Sequence, residues 1–447
     1  MKFTKFGKAL LVCALSAGVI LGVSSCVESY TIGYLYVTNV ATAQPNGEGQ
    51  ISGFKIDHNT GNLKPIDGFP ISSGGANPVR ATLITGSRFL YVLNRGLNAQ
   101  KNGDCTTDDP CSGSNVIQFA VGGNGILTQQ DQAVPSQGSN PIRLLSDSSG
   151  NYLFVLDHDS PDNYVSYNAA TNGCTLALGA GVKTCGDVTV FEINATTGRL
   201  QLVLNSQVSA GGKPLTYFPV PANPVDFTLT GGFLLTVSGT AGTNQVAFPY
   251  SYNSSNGQLT VSQNGAQPLN VHQATAITNA SGVTYVLDNE PITANGTVVS
   301  ESQILPYTVG TNGALQPEPT GSVADDASQA NPTQLLVESK GKWLYVANAG
   351  NNDTTTGNAV SGITGYTITS PFQLTELPGI QPGTGAGPQC IVEDPSDQFI
   401  YTANYVDSTV TGKSLNTETG TLQPLAKTST FSVNGPATWC VVNGRTN

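Results

Sequence analysis

The apolar positions of this chain fall into one short pattern that keeps returning. The stretch "YLYVTN" at residues 34–39 recurs as "FLYVLN" (89–94), "YLFVLD" (152–157), "FLLTVS" (233–238), "TYVLDN" (284–289), "WLYVAN" (343–348) and "FIYTAN" (399–404). The occurrences are spaced by 51 to 81 residues, and each sits inside the same punctuation. Around the second one, "NPVRATLIT" leads through a "GSR" turn to "FLYVLN", and "NVIQFAV", a "GGNG" turn and "ILTQQDQAV" follow. Short runs of Val, Ile, Leu, Tyr and Phe divided by Gly/Asn turns predict a meander of four strands.

The turn between the third and fourth strands repeats as "DHNTGNL", "GGNGIL", "NATTGRL", "NSSNGQL", "TNGAL" and "NTETGTL". Asn and Gly there supply the positive φ that tight hairpins need. First strands open after Pro78, Pro141, Pro224, Pro332, Pro388 and Pro436, and a proline at a strand's first residue interrupts no ladder. No segment of the mature chain keeps a helical period. Seven units of four strands at this spacing predict an all-β fold, a seven-bladed β-propeller of four-stranded blades. The mature chain starts on a second strand and ends on a first strand, "GPATWCVVN". The C-terminal strand is therefore expected to complete the N-terminal blade and close the ring, with residues 34–447 as one domain. The closing Asn or Asp of each second strand reads as a turn former.

The N-terminus changes the picture of where the ring resides. Lys2, Lys5 and Lys8 precede an apolar run, and Ser24, Ser25 and Cys26 follow it. That is the layout of a secretory signal over residues 1–25, too short for a comfortable membrane span. "VSSC" resembles a bacterial lipobox, which makes Cys26 the acylated N-terminus of a chain tethered by residues 26–33. Val27, not Asp, follows, which by the usual sorting pattern favours the outer membrane, with the lipid as the only membrane contact. Loss of the leader moves the formal charge from −11 to −14, so nucleic acid is excluded as a general partner. Charged residues are only 11% of the chain, against about a quarter in typical domains, which suits an exported, turn-rich β protein. Six cysteines remain after Cys13 and Cys26, an even count that reads as disulfides outside the cytosol. Cys105–Cys111 and Cys174–Cys185 would each staple one loop. Cys390 and Cys440 stand two and four residues after their prolines, so both point the same way round the ring, and without a bulge their pairing is disfavoured.

The "YVTN" and "YVAN" strands with their "TGxL" turns resemble the seven-bladed lactonase propeller family, which includes 6-phosphogluconolactonase-like and muconate-lactonising proteins. They are also similar to surface-layer propellers with YVTN repeats. The resemblance covers residues 31–443 and implies the fold; for activity it implies a lactone hydrolase. The family pattern places His in a "PH" blade opening, an Arg–His opening of the next blade, Glu in "NE" and Arg in "NRG". Here the matching openings are "NPIR" (140–143) and "NPVD" (223–226), without His. His272 in "NVHQ", Glu290 in "DNEP" and Arg95 in "LNRG" match single elements, in part in other blades.

Extra length is concentrated in loops 95–115, 158–187, 289–302 and 349–361 and in a blade-to-blade connection at 205–223, all assigned to one face. Stapled loops on a rigid ring are expected to form a binding surface, to which Tyr164 and Tyr167 could contribute. Two places after each opening proline or its equivalent stand Arg80, Arg143, Asp226, Gln273, Gln334, Cys390 and Thr438, taken as the rim of the channel mouth. Arg80, Arg143 and Asp226 suit either an anionic ligand or an ion-pair network between blades. Arg95, Gln334 and Gln389 join them as candidate ligand contacts. Lactone opening needs a base and a cation for the oxyanion; His272 with Glu290 and Arg143 are the candidates. His158, among acids, is another possible base, and His58 reads as solvated. No metal motif and no cofactor are expected, and the acid-rich "TTDDPC" and "HDSPD" read as solvated loops. The expectation is a monomeric binding propeller for a small anion or a protein partner; a lactonase is the alternative, and a surface-layer or adhesion role is the second.

Overall fold

The computed structural model describes residues 30–444 except 41–47, 85, 87, 98–112, 131–132, 162–184, 211, 263–265, 319–320, 326–328, 351–360, 370–372 and 379–382. Seven antiparallel sheets, each of four strands or of four with the outermost split in two, form the ring, and no helix occurs among these residues. Blade 2 shows the plan, with strands Pro78–Leu83, Phe89–Asn94, Asn115–Val121 and Leu127–Gln129 in that order. Blades 3 to 7 start at Ser139, Pro224, Ala274, Pro332 and Pro388. Blade 1 combines Thr31–Val40, Glu48–Asp57 and Leu63–Pro65 with the C-terminal strand Ala437–Gly444, which pairs with Thr31–Val40. The ring closes as expected, although pairing begins at Thr31, three residues before the anticipated start of the domain.

Seven apolar clusters hold the ring, one in each interface between neighbouring blades. The repeated hexamer divides itself between two of them. Tyr34 and Tyr36 pack against blade 2, whereas Leu35 and Val37 pack against blade 7. A strand buried on both faces must be apolar throughout, which explains the unbroken run.

The two repeated motifs meet across the interfaces. The hydroxyls of Tyr36, Tyr91, Tyr345 and Tyr401 donate to the carbonyls of Gly125, Gly198, Gly420 and Gly61, each in the next blade's hairpin turn, at 2.5–2.8 Å. Two residues earlier, the aromatic ring at the head of each of these second strands lies against the same glycine, as it also does in blades 3 and 4. A Cβ on Gly420 would come within 2.5 Å of Trp343, and one on Gly61 within 2.4 Å of Phe399. These glycines have φ of +74° and +65°. The turn glycine is thus required for its backbone and for the ring above it.

Two expectations need correction here. The Asn or Asp closing each second strand is no surface turn former. Asn39, Asn94, Asp157, Asp288, Asn348 and Asn404 are fully buried, and Asn94 bonds Ser73 of blade 1 and Asn115 of its own blade. The residue before the opening proline does the turning instead: Asn77, Asn140, Asn223 and Asn331 have φ near +50°, and Asn77 and Asn331 donate to Gly96 and Gly350 past the end of the second strand. Segment 205–223, expected as a connection on the loop face, contains the hairpin Asn205–Ala210/Lys213–Leu215. It is inserted into blade 3's outer strand between Leu200–Leu202 and Phe218–Val220, which both pair with Gly186–Ile193.

The disulfide disfavoured by parity is present. Cys390 and Cys440 are bonded, with Cα atoms 5.9 Å apart. Every first strand carries an irregularity in register near its start, and in blade 1 it skips Thr438: Asn39 faces Ala437 and Thr38 faces Trp439. Ala437 therefore stands where Pro388 stands, and Cys440 falls three places on against two for Cys390, so the side chains face each other. The bond ties blade 7 to the closing strand. Cys185 is also disulfide-bonded; its expected partner Cys174, with Cys105 and Cys111, lies outside the described residues, as do Cys26 and the leader.

The glycine contacts predict a distinct mutational signature. Tyr345→Phe should cost about 1–3 kcal/mol by leaving the buried Gly420 carbonyl unpaired. Gly420→Ala should cost more than about 1 kcal/mol from its backbone alone, with the Trp343 clash added. Gly282→Ala is the control, since Gly282 also has positive φ (+83°) but open space around it. Urea unfolding of the three variants decides the point, and equal losses for the two glycines would remove the packing role.

Candidate ligand-binding site

The first strands line the central channel, and the register irregularity fixes which side chain reaches it. Pairing places Trp439, Arg80, Arg143, Asp226, Ala276, Gln334 and Cys390 at the equivalent position of blades 1 to 7. The expected Gln273 and Thr438 are replaced by Ala276 and Trp439, because blade 5 opens at Ala274 and blade 1 skips Thr438. Counting back from the buried Asn/Asp of the second strand, rather than forward from proline, would have found both.

Six of these seven residues, all but Cys390, border one cavity of about 710 Å³. Cys390 is buried in the core between blades 7 and 1. The cavity also touches residues 146–149 and 230–233, the short turns between first and second strands of blades 3 and 4. It therefore reaches toward the short-turn face and not, as expected, the face of the long loops.

Two arginines here have unlike surroundings. Arg143 Nε lies 2.6 Å from Asp226 Oδ1, with both side chains nearly buried, and Arg143 also donates to the Thr275 carbonyl of blade 5 at 3.2 Å. Asp226 accepts in addition from the backbone amides of Phe227 and Ile277. Burial raises the Asp226 pKa even though Arg143 opposes the shift. Arg143 and Asp226 thus form the ion-pair tie across blades 3, 4 and 5. Arg80 is different. Its guanidinium lies 4.0 Å above the Trp439 ring, its Nη1 donates to the Val79 carbonyl at 2.7 Å, and its buried Nε has no partner. Arg143 stands 5.9 Å from the same ring.

The remaining candidates lie apart from this cavity or on its edge. Gln334 accepts from the amide of Ile391 in blade 7 and lines the wall. Gln389 occupies the irregularity after Pro388 and contacts the Gly387 carbonyl at 3.5 Å, off the wall. Arg95 donates from Nε to the Pro141 carbonyl of blade 3, and burial lowers its pKa. His58, expected to be solvated, stacks on Tyr30 at 4.2 Å. His158 Nδ1 lies 2.9 Å from Asp159 Oδ1. Tyr164 and Tyr167 lie outside the described residues.

A second polar centre forms where blade 5 begins. His272 Nδ1 is 2.5 Å from Glu290 Oε2, His272 Nε2 is 2.8 Å from Asn244 Oδ1 of blade 4, and the His272 amide donates to Asp288 Oδ2. The hydrogen bond to Glu290 raises the His272 pKa, with desolvation opposing it. The structure joins two of the three candidate catalytic residues; Arg143 bonds to Asp226 and not to this pair.

Blade 3 contains a buried carboxyl pair that sequence reasoning missed. Asp157 and Asp187 face each other directly across the second and third strands, fully buried, each with one oxygen lacking a partner. Thr189 Oγ1 and the Gly138 amide are the partners of the others. Burial pushes Asp157 up to about 8, and burial together with the neighbouring Asp157 raises Asp187 well above the carboxylate range. The signal was legible: blade 3 places "CGD" opposite "VLD", whereas blade 5, which also ends its second strand in "VLD", has Gln303 opposite Asp288. Native protons on this pair are released on unfolding once the pH exceeds about 4, so its contribution falls as pH rises from about 4 to about 8. Asp187→Asn should therefore raise Tm at pH 8 more than at pH 5, as scanning calorimetry at the two values will test; an equal shift at both would contradict the assignment.

Comparison with known proteins agrees with this architecture. Residues 297–440 match the family model "Lactonase, 7-bladed beta-propeller". No curated protein matches the sequence. The fold is similar to that of a candidate 6-phosphogluconolactonase from Bacteroides uniformis, with 14% identity, TM-score 0.63, and coverage of 92% of this chain and 100% of that one. It is likewise similar to a periplasmic gluconolactonase from Pseudomonas aeruginosa, with 16% identity, TM-score 0.61, and coverage of 92% and 100%. With the ring closed by its own C-terminal strand, the chain is a seven-bladed β-propeller whose residues 297–440 are similar to the lactonase propeller family.

Proposed function

We propose that this propeller binds a small anionic ligand in its central channel, with Arg80 as the charged contact and Trp439 as the wall behind it. The position of Arg80 in the cavity wall, with no carboxylate paired to it among the described residues, carries the reading. An indole covers one face of the guanidinium, which leaves its in-plane edge to a planar oxyanion such as a carboxylate. Arg143 is neutralised by Asp226, and Asp147 at the cavity's edge is held by the Asn151 and Tyr152 amides and the Tyr252 hydroxyl, which leaves Arg80 as the cation for a single carboxylate. Calorimetric titration with sugar acids, muconate and inorganic phosphate tests this. Carboxylate binding should weaken about tenfold or more in Arg80→Gln, since a charged hydrogen bond contributes about 1.5–3 kcal/mol. Unchanged affinity in that variant would refute the role of Arg80.

A second reading is lactone hydrolysis, favoured by the contact between His272 and Glu290. A carboxylate on Nδ1 orients the imidazole, and Nε2, once released from Asn244 Oδ1, can take a proton from water, as in other hydrolytic dyads. The names of the two structural neighbours support the substrate class. Turnover on a panel of sugar and muconate-type lactones should fall about a hundredfold or more in His272→Ala. Turnover indifferent to His272→Ala and Glu290→Gln would move the chemistry elsewhere, and no turnover on any lactone would leave the binding reading alone.

Export with lipidation at Cys26 is part of the proposal. It is supported by the signal pattern and by the Cys390–Cys440 bond, which suits an oxidising compartment. The periplasmic location named for the Pseudomonas neighbour points the same way. A protein partner on the long-loop face remains compatible with it.

A further inference from the structure

We infer that His272, Asp288 and Glu290 form a binding site for a divalent transition ion, zinc in the first instance, separate from the Arg80 cavity. One ligand atom from each residue comes together, all within 4.8 Å of one another. The three come from different places in blade 5. His272 ends the link from blade 4, Asp288 closes the second strand, and Glu290 starts the loop beyond it. A nitrogen and two carboxylate oxygens, one from the buried Asp288 and the other two donors on partly exposed side chains, form a donor set that zinc accepts, with the remaining positions left to water or a ligand.

The surroundings fit a ligated histidine. Asn244 Oδ1 sits 2.8 Å from Nε2 and takes that ring N–H, which leaves the Nδ1 lone pair toward the carboxylates. A metal-bound imidazole is held in this way, through a hydrogen bond on its other nitrogen. Asp288 is fixed in turn by the amide of Gln273 at 2.7 Å and by Gln303 Nε2 at 3.2 Å. At 2.5 Å, Nδ1 and Glu290 Oε2 now share a hydrogen. Ligand atoms around a tetrahedral zinc stand roughly 3.4 Å apart, so Glu290 must withdraw by about 1 Å. It is able to do so: its side chain is 37% exposed and it lies outside any strand, whereas Asp288 is buried. The site therefore has two fixed donors and one adjustable one.

The test is titration of the purified, chelator-treated and tag-free protein with zinc chloride by calorimetry, and with cobalt chloride by visible absorption. One equivalent should bind, and cobalt should give the d–d bands of a nitrogen- and oxygen-ligated ion. His272→Ala and Glu290→Gln should each lose at least tenfold in affinity; both side chains are partly exposed, so the fold should tolerate the changes. Asn244→Ala should lose about tenfold through its hold on the ring. Arg80→Gln and Asp187→Asn should bind as the parent does. Absence of stoichiometric binding would overturn the inference, and so would binding that survives both His272→Ala and Glu290→Gln.

Discussion

The ring depends on one contact repeated around it: an aromatic side chain of one blade lying on the turn glycine of the next. In four interfaces a tyrosine hydroxyl two residues on closes the arrangement by donating to the same glycine's carbonyl. A single blade has two apolar faces and cannot bury either alone. The contact fixes how far each sheet is rotated against its neighbour, because the flat ring meets backbone with no side chain between. It also couples two constraints at one residue, positive φ and absence of Cβ, so alternatives to glycine are excluded twice. The seven apolar clusters then supply the bulk of the burial, and in six of the seven interfaces the aromatic–glycine contact adds a fixed point between the sheets.

Fixing that register has consequences at the centre. Each first strand bends at the same place near its start, and in six blades the bend selects one side chain for the channel, Cys390 of blade 7 turning into the core instead. Six positions are thereby presented to each other, which is how residues as distant in sequence as Arg80 and Trp439 come to stack. The same bend in blade 1 turns Cys440 toward Cys390. One irregularity therefore supplies both the polar centre and the covalent closure of the ring, and a straight strand would have provided neither.

The architecture was legible because its determinants are local. Strand runs, turn glycines and opening prolines are written within a few residues of each other, and the count of seven follows from repetition. The site was legible only in part. Arg80, Arg143, Asp226 and Gln334 were found because proline marks their register, whereas Trp439 and Ala276 were missed where proline and register part company. The Cys390–Cys440 bond was argued away for the same reason, since side-chain parity counted along a strand fails wherever a bulge adds a residue. The Asp157–Asp187 pair went unnoticed because an Asp in place of Asn changes the chemistry without disturbing the pattern.

The two polar centres differ in a way that bears on function. At Arg143 and Asp226, opposite charges satisfy each other and three blades are tied together, so removing either would leave a buried charge alone. At Arg80 the charge is left over, and at His272 two carboxylates face one imidazole. A ring already stabilised by seven apolar interfaces gains little from an unpaired guanidinium, and desolvating one without an anion costs free energy. Such groups are expected where something else completes them: an anion at Arg80 and a cation at His272. On this argument the propeller is a scaffold stable enough to hold two incomplete sites of opposite sign, one in its channel and one among the loops of blades 4 and 5.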